Sequence, residues 1–265
     1  MFTMSYGGFN LIDFYKNIGK KFGRDAYAWW WWRSFNRPYI SDDSYLDYVK
    51  QIPEGSLGLD VGSGSGKIRN DAISVDISKD FHPDIVADAT NLPFASDSFD
   101  YVWSNAALEH MKRPWLAAYE MIRVLKPNGV IIIQVPFLEC GHSEPNDYYR
   151  FSIYGLRSLF EELEEVSSGV SAGPGQVLSD LMEFYGMLFV NNTIEGWKSL
   201  FLTLLCIPIG IFLYPIKRFD ACLKRRYSYR KWARAVYYIG KKSLPKAPSA
   251  GPSEEGGRPD AEKSP

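Results

Sequence analysis

Apolar runs alternate with helix-like stretches along this chain, and that pattern predicts a parallel sheet with covering helices. Leu57 to Val61 is a short apolar run that ends in glycines, and Ile73-Ser74-Val75-Asp76-Ile77 is a second. Ile85 to Ala89 and Phe99 to Ser104 are a third and a fourth. Trp115 to Lys126 then repeats apolar residues at helical spacing and stops at Pro127-Asn128-Gly129, which carries turn chemistry. Val130 to Val135 is almost continuously apolar and β-branched, as a central strand covered on both faces requires. Strands alternating with helices in this order define an α/β domain.

The first run continues as Asp60-Val61-Gly62-Ser63-Gly64-Ser65-Gly66-Lys67. Glycine is required where the backbone takes a positive φ or must approach a ligand without a Cβ in between. A strand that runs through such a turn into a helix presents backbone N–H groups at the C-terminal edge of the sheet. The spacing excludes two common nucleotide loops. A dinucleotide fingerprint starting at Gly62 needs glycine where Lys67 stands. A P-loop ending in Gly66-Lys67 needs glycine in place of Val61 and Ser or Thr in place of Ile68. A carboxylate then ends the second run, sixteen residues after Asp60. At the tip of a second strand such a group accepts hydrogen bonds from ribose hydroxyls, the alternative being a solvated turn carboxylate.

The remaining pattern, Asp-x-Gly-x-Gly-x-Gly, resembles the first motif of class I S-adenosylmethionine-dependent methyltransferases. Downstream, Asp88-Ala89-x-x-Leu92-Pro93-Phe94, Ser98-Phe99-Asp100, Leu108-Glu109-His110 and Arg123-Val124-Leu125-Lys126-Pro127-x-Gly129 are similar to the type-eleven methyltransferase domain. The resemblance covers about residues 55 to 160. It implies a Rossmann-like, seven-stranded, mostly parallel sheet with helices on both faces, and S-adenosyl-L-methionine as cofactor. Its cofactor residues carry over to Asp60, Gly62, Ser63, Gly64, Gly66, Asp76, Ile77, Asp88, Ala89 and Asn105, with Asp88 beside the adenine amino group. It also implies a closing hairpin. Glu165 to Ala172 fits the sixth strand, before the Gly173-Pro174-Gly175 break, and Ala233 to Lys242 resembles the closing seventh.

Methyl transfer from a sulfonium is an in-line displacement in which alignment and exclusion of water do most of the catalytic work. A base is needed only for a hydroxyl or a protonated amine. Of the three histidines, His82 precedes Pro83 in a loop and reads as structural or solvated. His110, after the fourth strand, either faces a substrate or packs the loop. His142 opens His142-Ser143-Glu144-Pro145-Asn146-Asp147-Tyr148-Tyr149-Arg150. That stretch resembles His-x-x-Pro-x-Asp-Tyr-x-Arg in methyltransferases associated with glycan biosynthesis. It makes His142 a candidate base, with Asp147, Tyr148 and Arg150 shaping an acceptor pocket. The alternative is a rigid loop in which Asp147 pairs with Arg150. The histidines and cysteines show no metal-ligand spacing, so no metal is expected.

Five segments follow from these readings: an aromatic-rich cap (1–50), the cofactor-binding core (51–174), an insertion (175–232), the closing strand (233–242) and a tail (243–265). The insertion contains Ser199 to Ile216, eighteen residues without charge. Pro208, Gly210 and Pro215 argue against one straight helix. Seven cations and Asp220 alone follow between 217 and 232. An apolar run with basic residues after it favours an interfacial or re-entrant anchor on anionic lipid through 199–232, over a buried helical hairpin. The acceptor is then expected to be a glycan or lipid-linked molecule methylated at a hydroxyl. A quinone or other small-molecule methyltransferase, and a non-catalytic membrane-docked protein, are the competing readings.

The cap includes Trp29 to Trp32, suited to a substrate lid, a membrane interface or packing on the core. The tail is rich in Pro, Gly, Ser and charge and is expected to be disordered. Net charge is -1, so the basic segment is local and nucleic acid is not an expected partner. Three scattered cysteines and the lack of a secretory pattern at the start suit a cytoplasmic protein, peripheral or monotopic on the membrane.

Overall fold

A computed structural model of the protein describes residues 44–142, 145–191 and 219–244. Within them lie seven strands: β1 (Gly58–Val61), β2 (Ala72–Asp76), β3 (Ile85–Val86), β4 (Phe99–Asn105), β5 (Leu125–Pro136), β6 (Glu164–Ala172) and β7 (Ala235–Lys241). The α-helices of the described residues include α1 (Ser44–Gln51), α2 (Pro114–Val124), α3 (Ile153–Leu159) and α4 (Pro174–Asn191). The strands form one sheet in the order β3-β2-β1-β4-β5-β7-β6. β1 pairs in parallel with β2 and β4, β2 with β3, and β4 with β5, while β7 runs antiparallel to both β5 and β6. This is the Rossmann-like, mostly parallel architecture that the resemblance implies, on the parallel sheet that the apolar pattern predicts.

The core follows from burial on both sheet faces. One cluster joins Leu59, Val61, Val102, Ile131, Ile133 and Val236 to Met121, Leu125 and Phe160. The other face packs Trp103, Ile132, Tyr237 and Ile239 against Tyr45 and Val49 of α1. Tyr45 stacks on both Trp103 and Tyr237, at centroid distances of 5.9 and 5.4 Å. Gly58 allows Tyr101 to lie flat on β1, since a Cβ there would sit 1.9 Å from the ring.

Two boundaries differ from the sequence pattern. β3 ends at Val86, so Asp88 and Ala89 stand in the loop beyond it rather than on the strand. Ala87 donates its N–H to Asp76 O at 3.0 Å and keeps that loop aligned with β2. β5 starts at Leu125, directly after α2, and its register against β4 shifts between Phe99 and Tyr101. The extra residues bulge at Lys126 to Gly129, where Asn128 takes a φ of 65° and donates its N–H to Lys242 O at 2.7 Å. The turn chemistry of Pro127-Asn128-Gly129 therefore makes an irregularity inside a strand.

The connection from β6 to β7 leaves and returns at the edge where β1, β4 and β5 end, because Ala235 pairs with both Pro136 and Ala172. Arg234 braces this edge. Its guanidinium reaches Asp180 of α4 at 2.5 Å and Glu139, just past β5, at 2.6 Å. The apolar run 199–216, the tryptophans 29–32 and the tail from 245 lie outside the described residues. Among the described residues no helix is long and apolar enough to cross a membrane.

The Arg234 brace yields a stability prediction. Arg234→Leu strands two carboxylates in a mostly buried setting and should cost about 3–5 kcal/mol. Urea unfolding monitored by circular dichroism checks this; a loss below about 1 kcal/mol, the range of exposed pairs, contradicts the brace.

Candidate active site

β1 delivers the glycine turn to the sheet edge. Gly62 has a φ of 71° and Gly64 a φ of 55°, both in the left-handed region that favours glycine. The turn is pinned to β2: the Gly62 and Ser63 N–H groups donate to Val75 O at 2.8 and 3.2 Å, and the Gly64 N–H donates to Asp76 Oδ2 at 3.0 Å. A Cβ on Gly62 would lie 2.4 Å from the Ala107 Cβ, so the turn packs directly on the segment that follows β4. Gly64 and Gly66 instead face open space, where a Cβ would meet nothing within 4 Å.

Asp60 is buried beneath this loop and accepts the Ile68 N–H at 2.8 Å. Burial pushes its carboxyl up to about 6, against the opposing pull of the Ile68 hydrogen bond. Asp76 Oδ1 accepts the Ser78 N–H at 2.9 Å, so both of its oxygens are held by backbone donors at the tip of β2. Ile77 is 73% exposed beside it, an apolar side chain open to a flat ligand face. Asp88 is exposed and accepts the Thr90 N–H with Oδ1 at 2.8 Å, while Ala89 is buried. Asn105 ends β4 in the open, next to Ala106 at a φ of 50°.

These residues fit S-adenosyl-L-methionine on the structure's own terms. The Ser63 hydroxyl is buried without a hydrogen-bond partner, and the two outer glycines leave an unfilled cradle. Asp76, Ile77 and Asp88 stand in order along the edge, where ribose and adenine would follow the turn.

A second group assembles beside the turn. Leu108–His110 forms a single 3-10 turn two residues past Ala106, and Glu109 is completely buried in it. Among the described residues neither Glu109 carboxylate oxygen has a hydrogen-bond partner. The Glu109 carbonyl, in contrast, accepts the N–H groups of Tyr148 and Tyr149 at 2.8 and 3.2 Å, which straps the post-β5 loop onto the turn. His110 Nε2 lies 3.7 Å and His142 Nε2 lies 3.9 Å from Glu109 Oε1. The two imidazoles meet edge to face, with centroids 4.8 Å apart. Burial pushes the Glu109 carboxyl up to about 8 and pulls the His110 imidazole below its ordinary value.

The other loop residues bind one another. Arg150 Nη1 and Nη2 donate to Asp147 Oδ1 and Oδ2 at 2.6 and 2.8 Å, and Asp147 Oδ2 also accepts the His142 N–H at 2.8 Å. Arg150 further donates to Glu139 O and Cys140 O at 3.1 and 2.8 Å. This pairing holds the Asp147 carboxyl well below the usual carboxylate range. Asp147 and Arg150 therefore position His142, as the rigid-loop alternative describes. Tyr148 is exposed, with its hydroxyl donating to Asn146 Oδ1 at 2.9 Å. His82 caps a short turn before β3 and is exposed, away from this group.

Sequence spacing did not single out Glu109, and its grouping with two histidines departs from the absence of ligand spacing. The only local signal was the word Leu108-Glu109-His110; thirty-two residues separate His110 from His142, and only adjacent β4 and β5 bring them together.

Residues 59–133 match the family model described as "Methyltransferase domain". An uncharacterized protein of Methanocaldococcus jannaschii is 34% identical over 131 residues, covering 45% of this chain and 61% of its own. Demethylmenaquinone methyltransferase of Renibacterium salmoninarum is 35% identical over 105 residues, covering 33% of this chain and 44% of its own. The chain thus spans about half the length of these curated relatives. A chain from the complex of the Haloferax volcanii Trm112 methyltransferase activator with a methyltransferase shares the fold, with a TM-score of 0.51, 21% identity, and coverage of 84% of this chain and 99% of that one. The matched residues run from β1 into β5, the part of the sheet that carries the glycine turn.

Glu109 also generates a pH prediction. Between its ordinary value of 4.5 and about 8 the folded chain keeps a proton that the unfolded chain releases. Rising pH across that window therefore weakens folding, by about 3–5 kcal/mol in total. In chelator-containing buffer, Glu109→Gln should remove this part of the decline, so the variant gains on wild type from pH 5 to pH 8. Parallel urea titrations at the two pH values contradict the assignment if the difference between the two proteins does not change.

Proposed function

We propose that the chain is an S-adenosylmethionine-dependent methyltransferase acting on a phosphate-bearing, lipid-linked glycan, at a hydroxyl. The observation that carries the reaction class is the glycine turn locked against Ala107, with its open cradle and Asp76 at the tip of β2. When bound, the cofactor supplies a methyl group on a sulfonium, an electrophile that needs no further activation.

The chain's own contribution is alignment and proton handling. The cradle and Asp76 hold the nucleoside end, and Ile77 offers the adenine an apolar face. His110 Nδ1 lies 2.6 Å from Asn146 O, a pure acceptor, so Nδ1 carries the proton and Nε2 presents a lone pair. For His142, both Arg150 Nη2 hydrogens are engaged by Cys140 O and Asp147 Oδ2. His142 Nδ1 lies 3.3 Å from Cys140 O and 3.4 Å from Arg150 Nη2. With the Nη2 hydrogens so engaged, the tautomer with Nδ1–H on Cys140 O leaves Nε2 bare. An acceptor hydroxyl placed between the cofactor edge and these nitrogens would pass its proton to His142 Nε2 as it takes the methyl group, with the sulfonium's S–C bond broken and the thioether leaving.

The acceptor reading rests on a cavity of about 560 Å³ at the start of α3, lined by Arg157, Lys224, Arg225, Arg226, Arg230 and Lys231 together with Phe137. Phe137 follows directly on β5, which relates the cavity to the same sheet edge. Six cations beside apolar walls suit phosphate attached to a lipid carrier. Exposed Phe219, Leu223 and Trp232 flank this basic stretch and suit contact with a membrane surface. A quinone acceptor, as the name of the Renibacterium relative describes for that protein, is neutral and makes no use of this cavity.

Methyl-labelled cofactor incubated with lipid extracts should label a phosphate-bearing species. Arg225→Glu with Arg226→Glu should cut that labelling about tenfold or more, and His142→Ala should slow it by about 100-fold. Label in a neutral quinone fraction, or labelling indifferent to both changes, refutes the acceptor assignment. Liposome flotation should recover the wild type, and a chain lacking 199–216 should remain at the bottom; equal recovery removes membrane contact from the account.

A further inference from the structure

Glu109 poses a problem that methyl transfer leaves unsolved. A carboxylate with no exposed surface and no partner for either oxygen is costly, and natural interiors pair such groups. Its neighbours do not repair this. His110 Nε2 and His142 Nε2 stand 3.7 and 3.9 Å from Glu109 Oε1, too far to hydrogen-bond to it. Arg150 and Asp147, the charged groups acting on Glu109 from the strapped loop, are engaged with each other. Glu139, the third, is engaged with Arg234.

The three facing atoms share one property. Each imidazole faces a backbone carbonyl with Nδ1, Asn146 O at 2.6 Å for His110 and Cys140 O at 3.3 Å for His142, where Arg150 Nη2 also lies 3.4 Å away. With the Nδ1 protons on those carbonyls, both Nε2 atoms hold a lone pair beside Glu109. Fixing a ring by an Nδ1–H bond to a carbonyl is the outer-shell arrangement that metal-ligating histidines use. One ligand atom from each of Glu109, His110 and His142 lies within 4.8 Å of the others. Atoms that each stand about 2.0–2.2 Å from a common cation are separated by up to about twice that distance. The gaps of 3.7 and 3.9 Å fall inside that ceiling and leave a cation's place between carboxylate and rings. The pair of imidazole nitrogens, within 4.8 Å, closes on it by a small ring rotation.

We propose that Glu109, His110 and His142 form a binding site for a divalent first-row transition metal ion. Two imidazoles and one carboxylate suit zinc, cobalt(II), iron(II) or manganese(II) better than magnesium or calcium, which favour oxygen ligands alone. The ion resolves the orphaned carboxylate and crosslinks two loops, the turn after β4 and the strap after β5. The histidine side chains are 25% and 32% exposed, so the remaining coordination positions open towards solvent and accept an oxygen ligand. A bound ion occupies the His142 Nε2 lone pair, so His142 serves as a base only in the metal-free chain, while ion binding itself is measured without methyl transfer.

The test is cobalt(II) titration of the untagged full-length chain, followed by its visible absorption and by metal analysis after gel filtration. Wild type should retain about one ion per chain, with thermal unfolding shifted upward on binding. His142→Ala and the near-isosteric Glu109→Gln should each weaken binding by about 10–100-fold and lose the absorption band. His82→Asn, in an exposed loop, should bind as wild type does. Circular dichroism and the metal-free melting temperature establish that the variants are folded. Absence of retained cobalt(II) in wild type, with zinc likewise not retained, overturns the site. So does binding that His142→Ala and Glu109→Gln leave unchanged in their folded state.

Discussion

The approach of Gly62 to Ala107 is the contact on which the active edge depends. With a side chain on Gly62 the two segments would overlap at 2.4 Å, so the glycine turn and the turn after β4 can meet only there. That contact fixes Leu108–His110 beside the cofactor cradle. The Glu109 carbonyl then captures the N–H groups of Tyr148 and Tyr149, and the loop after β5 becomes the third wall. Backbone donors and acceptors carry this assembly, which leaves the Glu109 carboxylate and the Nε2 atoms of His110 and His142 facing one another at its centre.

Much of the fold is legible in the sequence because buried parallel strands need uninterrupted apolar runs. Leu57 to Val61, Phe99 to Ser104 and Val130 to Val135 announce themselves in that way, and the glycine spacing places a cradle after the first. Boundaries were harder where turn residues sit inside a strand. Pro127-Asn128-Gly129 reads as a stop, yet here it forms a bulge stabilised by the Asn128 bond to Lys242, 114 residues on. No local pattern contains a partner that distant. The third strand is shorter than its apolar run because only Val75 and Asp76 remain available to pair with it.

The site divides in the same way. Asp60, Asp76 and the glycines were legible because their roles are set by one strand and one turn. The pairing of Asp147 with Arg150 was legible as a local three-residue spacing. The Glu109, His110 and His142 group was not, since it arises from β4 and β5 being neighbours and ending at one edge. Burial, which isolates Glu109 and raises its carboxyl, is a tertiary property that the word Leu108-Glu109-His110 does not carry.

The described residues between β6 and β7 pack at this edge. Arg234 ties α4 to the start of β7 and to Glu139, and the basic stretch 224–231 closes a cavity over α3. The basic cavity and the glycine cradle are therefore built from different parts of the chain. The cofactor side is the more directly measurable. Calorimetric titration with S-adenosylhomocysteine should give saturable binding to wild type, weakened about tenfold or more in Gly62→Ala, the equivalent of at least 1.4 kcal/mol. No binding by the wild type, or equal affinity in a folded Gly62→Ala, would contradict the role assigned to the Gly62–Ala107 contact.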